Sequence, residues 1–116
     1  MKYIENFAGK FTASQVALGC MRITTMTSRQ ADAHIINALE QGINIFDHAD
    51  IYGGGRCETV FGGVLKRNPE LRDKMIIQTK CGIRKGMYDF SKEHIISSVD
   101  GSLRRLGVAH IDILLL

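Results

Sequence analysis

The chain has 116 residues, 45% of them hydrophobic and 23% charged, which suits one ordinary globular domain with a real core and excludes a disordered segment. A net charge of +3, carried by scattered lysines and arginines, is too weak an electrostatic footprint for nucleic acid. No apolar run approaches the roughly 20 residues that span a bilayer, and nothing at the N-terminus reads as a signal peptide, so no membrane partner is expected.

The basic pairs Lys66-Arg67, Arg84-Lys85 and Arg104-Arg105 read as solvated helix ends and loops. The three cysteines, Cys20, Cys57 and Cys81, are odd in number, form no CxxC and have no metal-like spacing with histidine. That pattern favours reduced thiols in a cytoplasmic protein and gives no metal site.

In chain order, Tyr3-Ile4-Glu5 and Phe11-Thr12, joined through Ala8-Gly9-Lys10, suit a small hairpin. Gln15 to Gly19 is a short strand. Thr27-x-x-Gln30 is a capping box, and Ala31, Ile35, Ala38 and Leu39 share one helical face. Gly42 is placed to stop that helix in a left-handed conformation and leads into a second strand at Ile43 to Phe46. Val60, Phe61, Val64 and Leu65 repeat at helical spacing until Asn68-Pro69 ends the pattern, because the position before proline disfavours the α region. Met75 to Thr79 is a third strand. Ser91 caps a third helix with the stripe Ile95, Val99, Leu103 and Leu106, closed by Gly107, and Ile111 to Leu116 is a fourth strand.

This order predicts an α/β fold of parallel strands joined by right-handed crossovers, with the third and fourth strands buried on both faces. Doubly wound sheets and (β/α)₈ barrels both begin this way. The chain stops at Leu116, inside a strand that reads as buried, so the expectation is a fragment of something longer.

The stretch FDHADIYGGG, residues 46–55, crowds ionisable groups after the second strand. Asp47 lies just past that strand's carboxyl end and Tyr52 in the loop that follows, while Lys80 holds the equivalent place after the third strand. In parallel α/β folds the loops at the carboxyl ends of strands carry the active site, so all three residues are expected at one mouth. A nearby ammonium favours the phenolate of a tyrosine, and an aspartate paired to that lysine keeps it charged and oriented. Such a tyrosine can act as general acid toward a carbonyl oxygen. The hydride for a carbonyl reduction has to come from a nicotinamide cofactor. Taken singly, each residue has a blander reading: a turn aspartate, a packing tyrosine, a solvated lysine. Asp50 reads as turn stabilisation, Glu58 as an acid favoured by a helix N-terminus, Cys81 as strand-end packing and the glycine run as loop flexibility. Met21, Met26 and Met87 read as gap-fillers near loops, with the edge of a substrate mouth as the alternative for Met87.

GINIFDHADIYG with Glu58 beyond it resembles the aldo-keto reductase signature, and Ile77-Gln-Thr-Lys80-Cys-Gly resembles that family's lysine motif. The opening hairpin and LGCMRI at residues 18–23 also fit, and the resemblance covers essentially all of residues 1–116, read as part of one barrel domain. It implies a (β/α)₈ TIM barrel, present here as its first half: a β-hairpin, then four parallel strands alternating with three helices. It implies NADP(H) at the carboxyl-end mouth and a small-molecule carbonyl substrate. Tyr52 is the implied proton donor, Asp47 and Lys80 the pair that tunes it, and Met21, Arg22 and Asp47 the residues against the nicotinamide ribose. The family's catalytic histidine follows the fourth strand, where this chain ends; His110 precedes that strand, His34 and His94 lie on helices, and His48 does not match the motif. The residues for the cofactor's phosphates belong to the second half of the family pattern. Two other readings stand beside the reductase: a redox-sensing or regulatory subunit with little turnover, and an inactive half-barrel, since four strands cannot close an eight-stranded barrel.

Overall fold

The computed structural model describes residues 1–6 and 9–116. It opens with an antiparallel pair, β1 (Tyr3–Asn6) and β2 (Phe11–Ser14), in the register Tyr3 to Ser14. Ala8, where the sequence places part of the joint, lies outside the described residues. Then follow β3 (Ala17–Gly19), α1 (Ser28–Glu40), β4 (Ile45–Asp47), α2 (Arg56–Arg67), β5 (Ile76–Lys80), the short pair β6 (Ile83–Arg84) and β7 (Met87–Tyr88), α3 (Lys92–Leu106) and β8 (Ile113–Leu115). The strands β3, β4, β5 and β8 form one parallel sheet in that order. This is the expected alternation of four parallel strands with three helices, an open segment of a barrel.

Local chemistry sets the helix limits. Thr27 Oγ1 accepts from Gln30 N at 3.2 Å while Gln30 Oε1 accepts from Thr27 N at 2.9 Å, a complete capping box. At the other end of α1, Gly42 takes φ +87° and its N–H donates to Leu39 O, so the chain reverses into β4. Ser91 Oγ caps α3 through His94 N, and Gly107, also left-handed, ends it. A 3-10 helix at Pro69–Lys74 fills the span between α2 and β5.

The core lies between sheet and helices, where Phe46, Phe61, Ile35, Ile77, Val64 and Leu106 are fully buried. The helices α2 and α3 meet so closely that a Cβ on Gly62 would stand 2.3 Å from Arg105 O. Only glycine permits that approach. The opening hairpin is fastened to the amino end of β4 by Asn44, whose Oδ1 accepts from Ser14 N at 2.8 Å and whose Nδ2 donates to Thr12 O at 2.9 Å. That end of the sheet is covered, which leaves the carboxyl end for a site.

Two expectations are corrected. β5 is buried as read, but β8 is an edge strand of this sheet, with Ile113 half-buried and Leu114 and Leu115 exposed. An apolar run reports the wish for burial and not the presence of a neighbour. The basic pairs are not simply solvated either: Arg67 pairs with Asp32 at 2.8 Å, Arg84 with Asp89 at 2.9 Å and Arg105 with Glu58 at 2.8 Å. Among the described residues no helix is long and apolar enough to cross a membrane.

Candidate active site

Alternation along β4 decides which groups reach the site. Phe46 and His48 turn into the core and are fully buried, so Asp47 between them faces the other side of the sheet. The parallel register sets Asp47 beside Gln78, and Lys80 lies two residues further along β5 on the same face. Lys80 Nζ donates to Asp47 Oδ1 at 2.7 Å, Asp47 Oδ2 at 2.8 Å, His48 O at 2.8 Å and Tyr52 Oη at 3.1 Å. It also stands 5.0 Å from the Tyr52 ring centroid. The three residues singled out in the sequence therefore meet at one ammonium.

Tyr52 is delivered by a 3-10 turn, Tyr52–Gly55, in which Gly53, Gly54 and Gly55 take φ +59°, +65° and +93°. Three successive left-handed residues are affordable only for glycine. The run defines a geometry, which corrects its reading as loop flexibility. The turn is tied to β5 by the Asp50 N–H, which donates to Lys80 O at 3.1 Å.

Burial by itself would lower the Lys80 ammonium, but hydrogen bonds to Asp47 and Tyr52, with the charges behind them, more than offset it and the net shift is upward. Burial raises the Asp50 carboxyl, and the charge of Glu58 raises it further against the pull of Arg105. A cavity of about 110 Å³ adjoins the trio, lined by Ala49, Asp50, Ile51, Tyr52, Lys80, Cys81 and Ile83. Ile83, which the sequence reading passed over, lines it; Met87 lies exposed on β7. Burial raises the Cys81 thiol and pushes Cys20 up to about 12, so both behave as packing residues.

Sequence reading missed two partners of the site. Gln78 Nε2 donates to Asp47 Oδ1 at 2.7 Å, and the signal for it was a second polar residue at period two from Lys80 in an apolar strand. The other is the backbone carbonyl of His48. Glu58 is more than an acid at a helix N-terminus: it is fully buried, accepts from Thr79 Oγ1 at 2.7 Å and pairs with Arg105. Met21 and Arg22 lie on the loop after β3, both exposed, and among the described residues neither side chain bonds to the trio. His110 sits beside Asp112 at the amino end of β8, away from the mouth. Among the described residues no cluster of His, Cys, Asp and Glu could hold a metal ion.

The His48 ring packs edge-on against Phe61 at 4.3 Å, and among the described residues neither ring nitrogen has a hydrogen-bond partner. Burial lowers its pKa from the usual 6.5 to about 4. The unfolded chain thus binds a proton that the folded chain refuses in this window. Stability is fully present above 6.5 and is lost as pH falls toward 4, by roughly 3 kcal/mol from this one residue. Denaturant unfolding of His48→Phe against the parent should show that loss flattened in the variant; parallel pH curves would contradict it.

Parallel strands, helices on one side and ionisable side chains gathered at the strands' carboxyl ends define a segment of a (β/α) barrel with an enzyme-like mouth. The chain belongs to the aldo/keto reductase family, whose model matches residues 15–116. It is 40% identical to the Oxidoreductase YdhF of Escherichia coli over 89% of this chain and 38% of that protein. It is 41% identical to the 6-dehydroglucose reductase of Agrobacterium fabrum over 92% of this chain and 40% of that one. Among solved structures, a holo-form aldo-keto reductase of Bacillus halodurans superposes with a TM-score of 0.82 at 33% identity, covering 98% of this chain and 39% of the other. The chain thus spans about two fifths of the length of these relatives. Its family is one of oxidoreductases that generally use a nicotinamide cofactor.

Proposed function

We propose that the full-length protein reduces a small aldehyde or ketone to the alcohol, with NADP(H) as cofactor, Tyr52 as proton donor, and Lys80, held by Asp47, as the charge that stabilises the phenolate left behind. The observation that carries this reading is the single ammonium of Lys80 bonded at once to Asp47 and to the Tyr52 hydroxyl.

The residues present suit the cofactor. Among the described residues Asp47 Oδ2 accepts only from Lys80, so it keeps acceptor capacity for a ribose hydroxyl. Met21 and Arg22 are exposed on the neighbouring loop, free to lie against the same group. When bound, a nicotinamide supplies the hydride that no side chain can. The chain's own residues do the rest. Tyr52 Oη gives its proton to the carbonyl oxygen, and the positive charge 3.1 Å away stabilises the phenolate that remains. Asp47 and the His48 carbonyl fix the ammonium so that it needs no reorganisation when the proton moves. Ala49, Ile51 and Ile83 give the adjoining cavity an apolar wall beside the Tyr52 hydroxyl. Three buried free cysteines support a reducing, cytoplasmic setting.

The test is a panel of aldehydes and ketones offered to the full-length protein with NADPH and, separately, NADH. Carbonyl-dependent loss of the reduced nicotinamide, faster with NADPH, is the expected result. Tight NADPH binding with no loss across the panel would favour the sensing role instead.

A further inference from the structure

We propose that Gln78 is a positioning residue of this site: its side-chain amide holds the Asp47 carboxylate so that Oδ1 is saturated and Lys80 is aimed at Tyr52. The inference rests on the reading of the site as a carbonyl reductase and deepens it.

The placement follows from the sheet. Gln78 is the register partner of Asp47 across β4 and β5, and it precedes Lys80 by two residues, so the three share one face. A barrel interior is filled mostly by branched apolar side chains, and a half-buried amide there is unfavourable unless it is bonded. Gln78 is bonded, at 2.7 Å, to the carboxylate that holds the lysine. A carboxylate only accepts, so the contact is through the amide N–H.

The consequence is asymmetric. Among the described residues Asp47 Oδ1 accepts from Gln78 and from Lys80, whereas Oδ2 accepts from Lys80 alone. The carboxylate is pinned at one oxygen by a neutral donor from the strand beside it, and the other oxygen is left for an incoming hydroxyl. With Gln78 gone, the carboxylate loses its fix on the strand side, and the ammonium is left with the His48 carbonyl and a carboxylate that can turn about its own stem. Lys80 would then keep its charge but lose its aim at Tyr52, and small misplacements of a reacting group are costly.

Two variants of the full-length protein test this. Gln78→Leu removes the donor at similar volume and should lower kcat roughly tenfold with little change in KM for the carbonyl. Gln78→Glu puts a second carboxylate against Asp47 and should be at least as impaired at neutral pH. Its deficit should shrink as pH falls, because the introduced carboxyl, once protonated, again donates to Asp47, while the Gln78→Leu deficit stays constant with pH. Wild-type kcat in both variants, or a Gln78→Glu deficit independent of pH, overturns the proposal. Should the parent protein show no turnover, the reductase reading fails and Gln78 is judged by melting. A Gln78→Glu destabilisation present at alkaline pH and relieved in acid supports the bond; a pH-independent difference from the parent refutes it.

Discussion

Tyr52→Phe should cut turnover by about a thousandfold or more while leaving the fold and nicotinamide binding close to those of the parent, because a well-placed general acid is worth some 10²–10⁴ in rate. The substitution is conservative in every respect but one. The ring that lies 5.0 Å from Lys80 Nζ stays, so the cation keeps its aromatic neighbour, and the turn through Gly53 to Gly55 is built from backbone geometry that the hydroxyl does not touch. What disappears is the hydroxyl oxygen 3.1 Å from Lys80, where the proposed proton donation and the positive charge that would stabilise the resulting phenolate come together. The measurement is kcat at saturating cofactor, alongside cofactor affinity. A variant that turns over like the parent removes Tyr52 from the mechanism.

Lys80→Met should be nearly as damaging to turnover, a loss of about a hundredfold or more, yet only mildly destabilising. The apolar stem is preserved and only the charge is lost. Its ammonium touches Asp47 through both oxygens, the His48 carbonyl and the Tyr52 hydroxyl, so its removal takes away the charge proposed to stabilise a Tyr52 phenolate and, among the described residues, leaves Asp47 with Gln78 as its side-chain partner. The lysine and aspartate side chains are 32% and 25% exposed, so solvent screens the pair and its worth to stability is only about 1 kcal/mol. A pair that matters much more to rate than to folding is one retained for chemistry. The opposite disposition is seen at Glu58, fully buried between Thr79 and Arg105, where the carboxylate joins α2, β5 and α3. Kinetics and urea melts of Lys80→Met decide the matter: a large stability loss with proportionate loss of rate would make Lys80 a structural lysine.

Much of this architecture is legible in the amino-acid sequence. Helical periodicity, the Thr27 box, Ser91 and the glycines at 42 and 107 are local signals, each completed within a few residues, and each is found in the structure as read. The meeting of Asp47, Tyr52 and Lys80 was legible because parallel connectivity forces successive strand ends to one side. What escaped was whatever depends on partners far along the chain. Glu58 finds Arg105 from 47 residues away, and the sequence offers no sign that the two will close on each other. Gln78 is bound to Asp47 by strand register, which periodicity does not determine. The small β6–β7 pair escaped for a different reason: strands of two residues are too short to show a period, and only Gly86, at φ +75°, marks the turn between them. The exposed β8 shows the converse, a strong local signal whose burial depends on what pairs with it.

The most direct test of the central claim is isotopic. The full-length protein is given NADPH labelled with deuterium at the transferring position of the nicotinamide, together with a simple aldehyde, and the alcohol is analysed. The expected result is deuterium on the carbinol carbon of the alcohol, a position that does not exchange with solvent. Alcohol lacking the label at carbon, or no alcohol from a folded protein that binds NADPH, would contradict it.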